Sequence, residues 1–278
     1  MDADDAAELE RLKRTKGHVG REGSGSRTIA QGGATIVSNS RQIVSDAWRL
    51  APDLVPLASA RGQQLLAEAE CRAAFDRLWP HFAPQAGSSC CGVCSAAMVA
   101  SALACRRITE DDFFGRLPAD LALGGRPAEI AVRSAGVTLE QLAELIRAAP
   151  GIAAAERPFE GGFVHGDAID VAGARAALRA ALLSVGDSGA GAPTYPLLNY
   201  QMSELGQEPW GGHVSPIAAY HADADAFLLL DVWFHTEPVW ASAARVHAAM
   251  SGSDDSVSGK KRGLAFVAAG GGGSGGRL

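Results

Sequence analysis

The sequence predicts an α+β protein with a helical half first and an antiparallel sheet half second. Three observations carry this. Apolar residues recur at close to helical spacing over Ala60–Trp79, and Val171–Leu183 is rich in Ala and Leu. From Pro196 on, the pattern changes to short β-prone runs separated by polar turns. The chain has 278 residues, 47% of them hydrophobic, enough to bury a full core as one large domain or two small ones.

The elements follow in order. Residues 1–54 read as a poorly ordered arm: Ala6–Arg14 allows a helical turn or two, and Gly20–Ser40 is too polar and glycine-rich to contribute much core. Residues 55–268 form the expected folded domain. Leu65, Leu66, Ala69, Ala73, Phe75 and Leu78 mark one or two helices, closed by Pro84. Cys91–Cys105 is a helix of small residues suited to close packing. Thr109-Glu-Asp-Asp112 has the form of a helix cap, and Thr138-Leu-Glu-Gln141 that of a capping box ahead of Leu142 and Leu145. Pro150 ends that helix, and Arg157–Asp167 reads as an insertion. Strands are expected over Pro196–Tyr200, Val214–His221, Phe227–Phe234 and Leu264–Ala268, with a helix at Ala241–Met250. Residues 269–278 are a glycine-rich, linker-like tail.

Composition excludes several classes. The net charge is −6 and no stretch is basic enough for a nucleic-acid footprint. No apolar run reaches the length of a membrane span, and the acidic start Met1-Asp-Ala-Asp-Asp5 is unlike a secretory signal. Five cysteines, three of them crowded at Cys90, Cys91 and Cys94, argue against a disulfide framework and for a reducing, cytoplasmic setting. Cys91 and Cys94 form a C-x-x-C, but no second such pair and no H-x-x-x-H completes a metal site, so no protein metal ligands are expected. Nor does a βαβ pattern precede it, as a redox motif would require.

The chemistry centres on Gln85-Ala-Gly-Ser-Ser-Cys-Cys-Gly92. A polar loop runs into a helix whose first turn carries unpaired N–H groups and the positive end of its dipole, an environment that favours a thiolate. Cys91, directly before Gly92, is the expected nucleophile, with Gln85 as an oxyanion donor. His213 lies far downstream in Trp210-Gly-Gly-His-Val-Ser-Pro216, and Asp231 sits inside an expected strand. Two strands joined by the turn His221–Asp225 would bring His213 and Asp231 side by side. A cysteine with a distant histidine and aspartate is the layout of a papain-like site.

Together these motifs resemble the phytochelatin synthase family, whose members share a papain-like two-lobe fold. The resemblance rests on Gln85 six residues before Cys91-Gly92, on Gly212-His-Val-Ser-Pro216 with Tyr220, and on Asp231-Val232 eighteen residues after His213. Leu198-Asn-Tyr200, Leu205-Gly-Gln207, Pro238-Val-Trp240 and Gly136–Leu142 fit in the same order, and the likeness spans about Ser59–Val267.

It implies a helical lobe carrying Cys91 and a sheet lobe carrying His213 and Asp231. It also implies glutathione as both donor and acceptor, with a γ-glutamylcysteinyl thioester on Cys91. Asn199, Gly212, Asp255 and Arg262 match positions around the first substrate, with Arg262 for a carboxylate and Asp255 for an amine. No covalent cofactor is implied; cadmium or zinc enters as a thiolate complex of the substrate or as an activator. A homodimer is the assembly to test. Two arginines on the family's second-substrate side are missing, with Gln201 and Met202 in place of one and Trp233-Phe234 following Asp231-Val232. Hydrolysis to γ-glutamylcysteine is the rival outcome, and Arg245 or Lys261 could rebuild the acceptor side. A non-catalytic thiol- or metal-binding protein is the alternative of another class.

Overall fold

The computed structural model describes residues 3–14, 27–31, 34–38, 50–155, 159–187, 192–207, 211–234 and 236–270. The glycine-rich tail from residue 271, most of the arm between 15 and 49, and Trp210 lie outside them.

Helix α1 (Ala3–Arg14) opens the chain, followed by a hairpin of β1 (Arg27–Gln31) and β2 (Ala34–Ser38). The helical half contains β3 (Val55–Pro56), α2 (Ala60–Glu68), α3 (Ala73–Leu78), α4 (Cys91–Ala104) and α5 (Glu110–Phe114). It continues with the short hairpin β4 (Ala122–Leu123) and β5 (Arg126–Pro127), then α6 (Ala128–Ala135), α7 (Leu139–Ala148), β6 (Ile152–Ala154), β7 (Phe163–His165) and α8 (Val171–Gly186). The sheet half contains β8 (Thr194–Gln201), α9 (Met202–Leu205), β9 (Gly212–His221), β10 (Ala226–Leu229), β11 (Val239–Ser242), α10 (Ala243–Ser251) and β12 (Gly263–Ala269).

Local chemistry sets the helix starts. Thr109 and Thr138 each close a full capping box, with Asp112 and Gln141 as reciprocal partners. Ser59, Asp170 and Ser242 cap α2, α8 and α10 by accepting a backbone N–H.

Among the described residues the main sheet has eight strands, ordered β3-β11-β10-β9-β8-β12-β6, with β7 also on β12, and every pairing is antiparallel. Tyr195–Tyr200 of β8 and His213–His221 of β9 are buried without a break, so both faces of the sheet centre are covered. That explains why these strands read as near-continuous apolar runs and not as alternation. Helix α4 docks on β9, where buried Ser95 donates its hydroxyl to the Val214 carbonyl at 3.0 Å.

Four expectations change. The predicted strand Phe227–Phe234 stops at Leu229, so Asp231 lies just beyond it. The predicted helix Ala241–Met250 begins only at Ala243, because Val239–Ser242 pairs with β10 and β3. The expected insertion contains β7, which is held in the sheet by β12. The described part of the arm is not shapeless. Helix α1 packs on α6 with Leu9 buried and Lys13 3.6 Å from Glu129, Arg27–Gln31 pairs antiparallel with Ala34–Ser38, and Leu54 is in the core. Among the described residues no helix is long and apolar enough to cross a membrane.

Candidate active site

Cys91 is the first residue of α4, and it faces the cavity while its neighbours do not. The loop before it is held from outside by Glu110, the first residue of α5. This buried carboxylate accepts the Ala86 N–H at 2.7 Å and the Gly87 N–H at 3.4 Å. Gly87 leaves room for the Cys90 sulfur; a Cβ there would lie 2.7 Å from Cys90 Sγ. Cys90 is fully buried, and burial together with Glu110 pushes its thiol far above the ordinary range. Cys94 is buried and raised by the same causes. Cys91 goes the other way. Burial pushes its thiol up, but His213 and the backbone N–H groups of Val214 and Gly92 outweigh this and bring it below the ordinary value.

His213 Nε2 is 3.1 Å from Asp231 Oδ1, which leaves Nδ1 as the ring nitrogen that meets the Cys91 thiol. Burial depresses the imidazolium, and the charges of Asp231 and Cys91 more than restore it, so its pKa is raised. Asp231 is buried as well, yet His213, the Trp233 N–H and Gln207 hold its carboxyl below the usual range. The Trp233 N–H donates to Oδ1 at 2.9 Å, and Gln207 Nε2 and the Tyr200 hydroxyl donate to Oδ2 at 2.6 and 3.3 Å. The Tyr200 and Trp233 rings stand edge-on to the imidazole at 5.6 and 6.1 Å and fix its plane.

One irregularity in the sheet makes this meeting possible. β9 and β10 pair in one register through Leu228↔Ala219, then shift so that Leu229 faces Ile217 and Ala218 is passed over. Facing residues share a side of the sheet, and a slip of one residue exchanges the sides. In the unshifted register Asp231 would face Pro216, on the side away from His213. In the shifted register, continued by the bond from the Leu230 N–H to the Pro216 carbonyl, the next position falls on the side of Ser215 and His213.

The cavity has a volume of about 510 Å³ and is lined by Cys91, His213, Asn199, Gly212, Asp255 and Arg262 among others. Arg262 is buried and donates from Nη1 to Asp255 Oδ2 at 2.6 Å and Asn199 Oδ1 at 3.5 Å, and from Nη2 to Gln201 Oε1 at 3.2 Å. Its Nε has no hydrogen-bond partner. Gly212 accommodates the guanidinium: a Cβ there would sit 2.5 Å from Nη1. Asp255 Oδ1 also caps its own loop by accepting the N–H groups of Val257 and Ser258. The four residues expected around the first substrate thus meet at one end of one cavity. Asp255 and Arg262, assigned above to opposite charges of a substrate, are paired with each other.

Gln85 is buried next to this loop, but its amide N–H groups are engaged by the carbonyls of Gly87 and Ser88 at 2.7 and 3.0 Å. It is not among the residues lining the cavity. Its Oε1 has no hydrogen-bond partner. Glu110 and Gln207 were not singled out as site residues. Glu110 reads in sequence only as the acidic first residue of a capped helix, and Gln207 lies in a motif with no chemistry of its own. Among the described residues no three His, Cys, Asp or Glu side chains are grouped to hold a metal ion.

The fold and site define a mixed α+β protein with a thiol, an imidazole and a carboxylate in line at the wall of a cavity. The chain belongs to the phytochelatin synthase family, whose model matches residues 45–264. No curated protein matches it.

Proposed function

We propose that this protein is a papain-like glutathione γ-glutamylcysteinyltransferase. The observation that carries the reading is the half-buried Cys91 against His213, itself backed by buried Asp231, in a cavity that Arg262, Asn199 and Gly212 also line. Arg262 holds the α-carboxylate of the donor's γ-glutamyl end, its guanidinium exchanging a present partner for the substrate, and Asp255 takes the amine.

The Cys91 thiolate attacks the carbonyl of the Cys–Gly bond. The His213 imidazolium gives its proton to the departing glycine nitrogen as the C–N bond breaks, leaving a thioester on Cys91. Asp231 keeps the imidazole in the tautomer and orientation this transfer needs, and Gln207 and Tyr200 position Asp231. The N–H of Cys91, in the first turn of α4, is one donor to the developing oxyanion. Gln85 is the second once its amide turns from the Gly87 and Ser88 carbonyls. The amine of a second glutathione then resolves the thioester. Cadmium or zinc takes part as a thiolate complex of the substrate.

One observation favours hydrolysis as a competing outcome. Gln201, at a place where the family resemblance calls for an arginine nearby, gives its side-chain oxygen to Arg262 and offers the acceptor no cation. The test is a product chromatogram after incubation with glutathione, with and without cadmium. Release of glycine with chain-extended peptide supports the transferase. Release of glycine with γ-glutamylcysteine alone makes it a hydrolase. Absence of glycine refutes both and leaves a non-catalytic thiol- or metal-binding protein.

A further inference from the structure

The cavity has a second positive group. Among its described lining residues the cationic ones besides His213 are Arg262 and Arg126. Arg262 is buried and surrounded by Asp255, Asn199 and Gln201. Arg126 is different: it lines the cavity with a side chain that is 45% exposed. The β4–β5 hairpin presents it, through a turn at Gly124 and Gly125 with φ of +58° and +79°, values that glycine adopts without strain. Leu123 of the same hairpin also lines the cavity.

The guanidinium of Arg126 already holds a carboxylate. Nη2 donates to Glu8 Oε1 and Oε2 at 2.9 and 2.8 Å, and Nη1 donates to Ser134 Oγ at 3.1 Å. Glu8 lies on α1, which is packed on α6 just outside the cavity. A side chain of the N-terminal helix therefore occupies a cation of the site. The other candidates for an acceptor cation are engaged elsewhere: Arg245 with Asp53 and Lys261 with Asp254, and neither lines the cavity.

We propose that Arg126 is the carboxylate-binding residue for the anionic acceptor and that Glu8 is a built-in competitor for it. The inference rests on the transferase reading above. The acceptor amine attacks the thioester carbonyl, the new C–N bond forms, the C–S bond breaks to return the Cys91 thiolate, and His213 takes the amine proton. An acceptor peptide brings a carboxylate next to that amine, and Arg126 is the cation to anchor it. While Glu8 is seated, the acceptor must displace it, and water, which needs no anchor, has the advantage. Helix α1 in this way sets the balance between transfer and hydrolysis.

The test uses the full chain as wild type, Glu8→Gln, Arg126→Gln and the double variant. The reading is the glutathione concentration at which chain-extended product equals γ-glutamylcysteine. Displacing a partly exposed ion pair is worth a small factor, so Glu8→Gln lowers that concentration about two- to fivefold. Arg126→Gln raises it roughly tenfold or more, the loss of a charge-assisted contact. In the double variant Glu8→Gln has no further effect, because its target is gone. Total glycine release in the same samples reports that each variant is folded and acylates. A crossover concentration unmoved by Arg126→Gln, or a Glu8→Gln effect that persists without Arg126, overturns the inference alone. Wild-type protein that releases no glycine overturns the transferase reading and this inference with it.

Discussion

Replacing Gly212 by alanine probes the carboxylate pocket without deleting a polar atom. Gly212 opens β9, and its backbone is in no region reserved for glycine, so alanine strains nothing by itself. The added Cβ would lie 2.5 Å from Arg262 Nη1, 2.7 Å from Cζ and 2.8 Å from Nη2. The guanidinium must retreat by roughly 1 Å to reach ordinary van der Waals contact. Its bonds to Asp255 at 2.6 Å and Gln201 at 3.2 Å are too directional to survive such a shift intact. A substrate carboxylate held by this fork loses a charge-assisted contact of about 1.5–3 kcal/mol. The predicted result is a ten- to hundredfold rise in KM for the donor glutathione with kcat little changed, because the lost contact is made equally in ground and transition states. Initial rates of glycine release give both constants. Combining Gly212→Ala with Arg262→Ala should add almost nothing to Arg262→Ala alone. A fall in kcat at unchanged KM would mean instead that Gly212 acts through His213 and not through Arg262.

Further outcomes are expected for the residues behind the thiol. Gln207→Leu removes the 2.6 Å donor to Asp231 Oδ2 and should cost about 1.5–3 kcal/mol in stability, measured by urea unfolding, and lower kcat more than it changes KM. The pH profile of glycine release should be broad. Its acid limb follows Cys91, below the ordinary thiol value of 9.0, and its alkaline limb follows His213, above the ordinary 6.5. The same shifts set stability: the raised His213 stabilises fully below pH 6.5 and loses this as pH rises through its folded value, while the lowered Asp231 stabilises above 3.8 and loses this as pH falls through its own. Asp231→Asn should therefore move the alkaline limb of the kcat/KM profile down. Gln85→Ala should lower kcat about a hundredfold with KM nearly constant, as for a lost oxyanion donor; an unchanged kcat with lower stability would leave Gln85 as a brace for the loop through Gly87 and Ser88.

What was legible in the sequence was local or carried by motif. The cap at Thr109 and the capping box at Thr138 each depend on four consecutive residues, and the structure has both, the first as a full box with Asp112. Cys91 was singled out because a glycine follows it directly, and the structure does start α4 at that residue. The pairing of His213 with Asp231 was expected for an incomplete reason. A plain hairpin would put them on opposite sides of the sheet, and only the slip past Ala218 brings them together. Such a slip costs one residue in a run of Ile, Ala and Ala that has no local mark. Glu110 was invisible because its role is made by a contact to Ala86 and Gly87 across more than twenty residues. Glu8 with Arg126 is more distant still, 118 residues apart, and charge alone gives no reason to pair them. β11 was missed because Val239–Ser242 runs straight into a helix of similar composition.

The proposed reaction runs through a thioester on Cys91, and that thioester can be trapped. The protein is mixed with glutathione, quenched in acid within the first turnover, digested and mapped by mass spectrometry. The expected result is a γ-glutamylcysteinyl adduct on the sulfur of Cys91, one glycine released per adduct, no adduct and no glycine with Cys91→Ala, and both retained with Cys90→Ser or Cys94→Ser. An adduct carried by Cys90 or Cys94, or glycine release that survives Cys91→Ala, would contradict it.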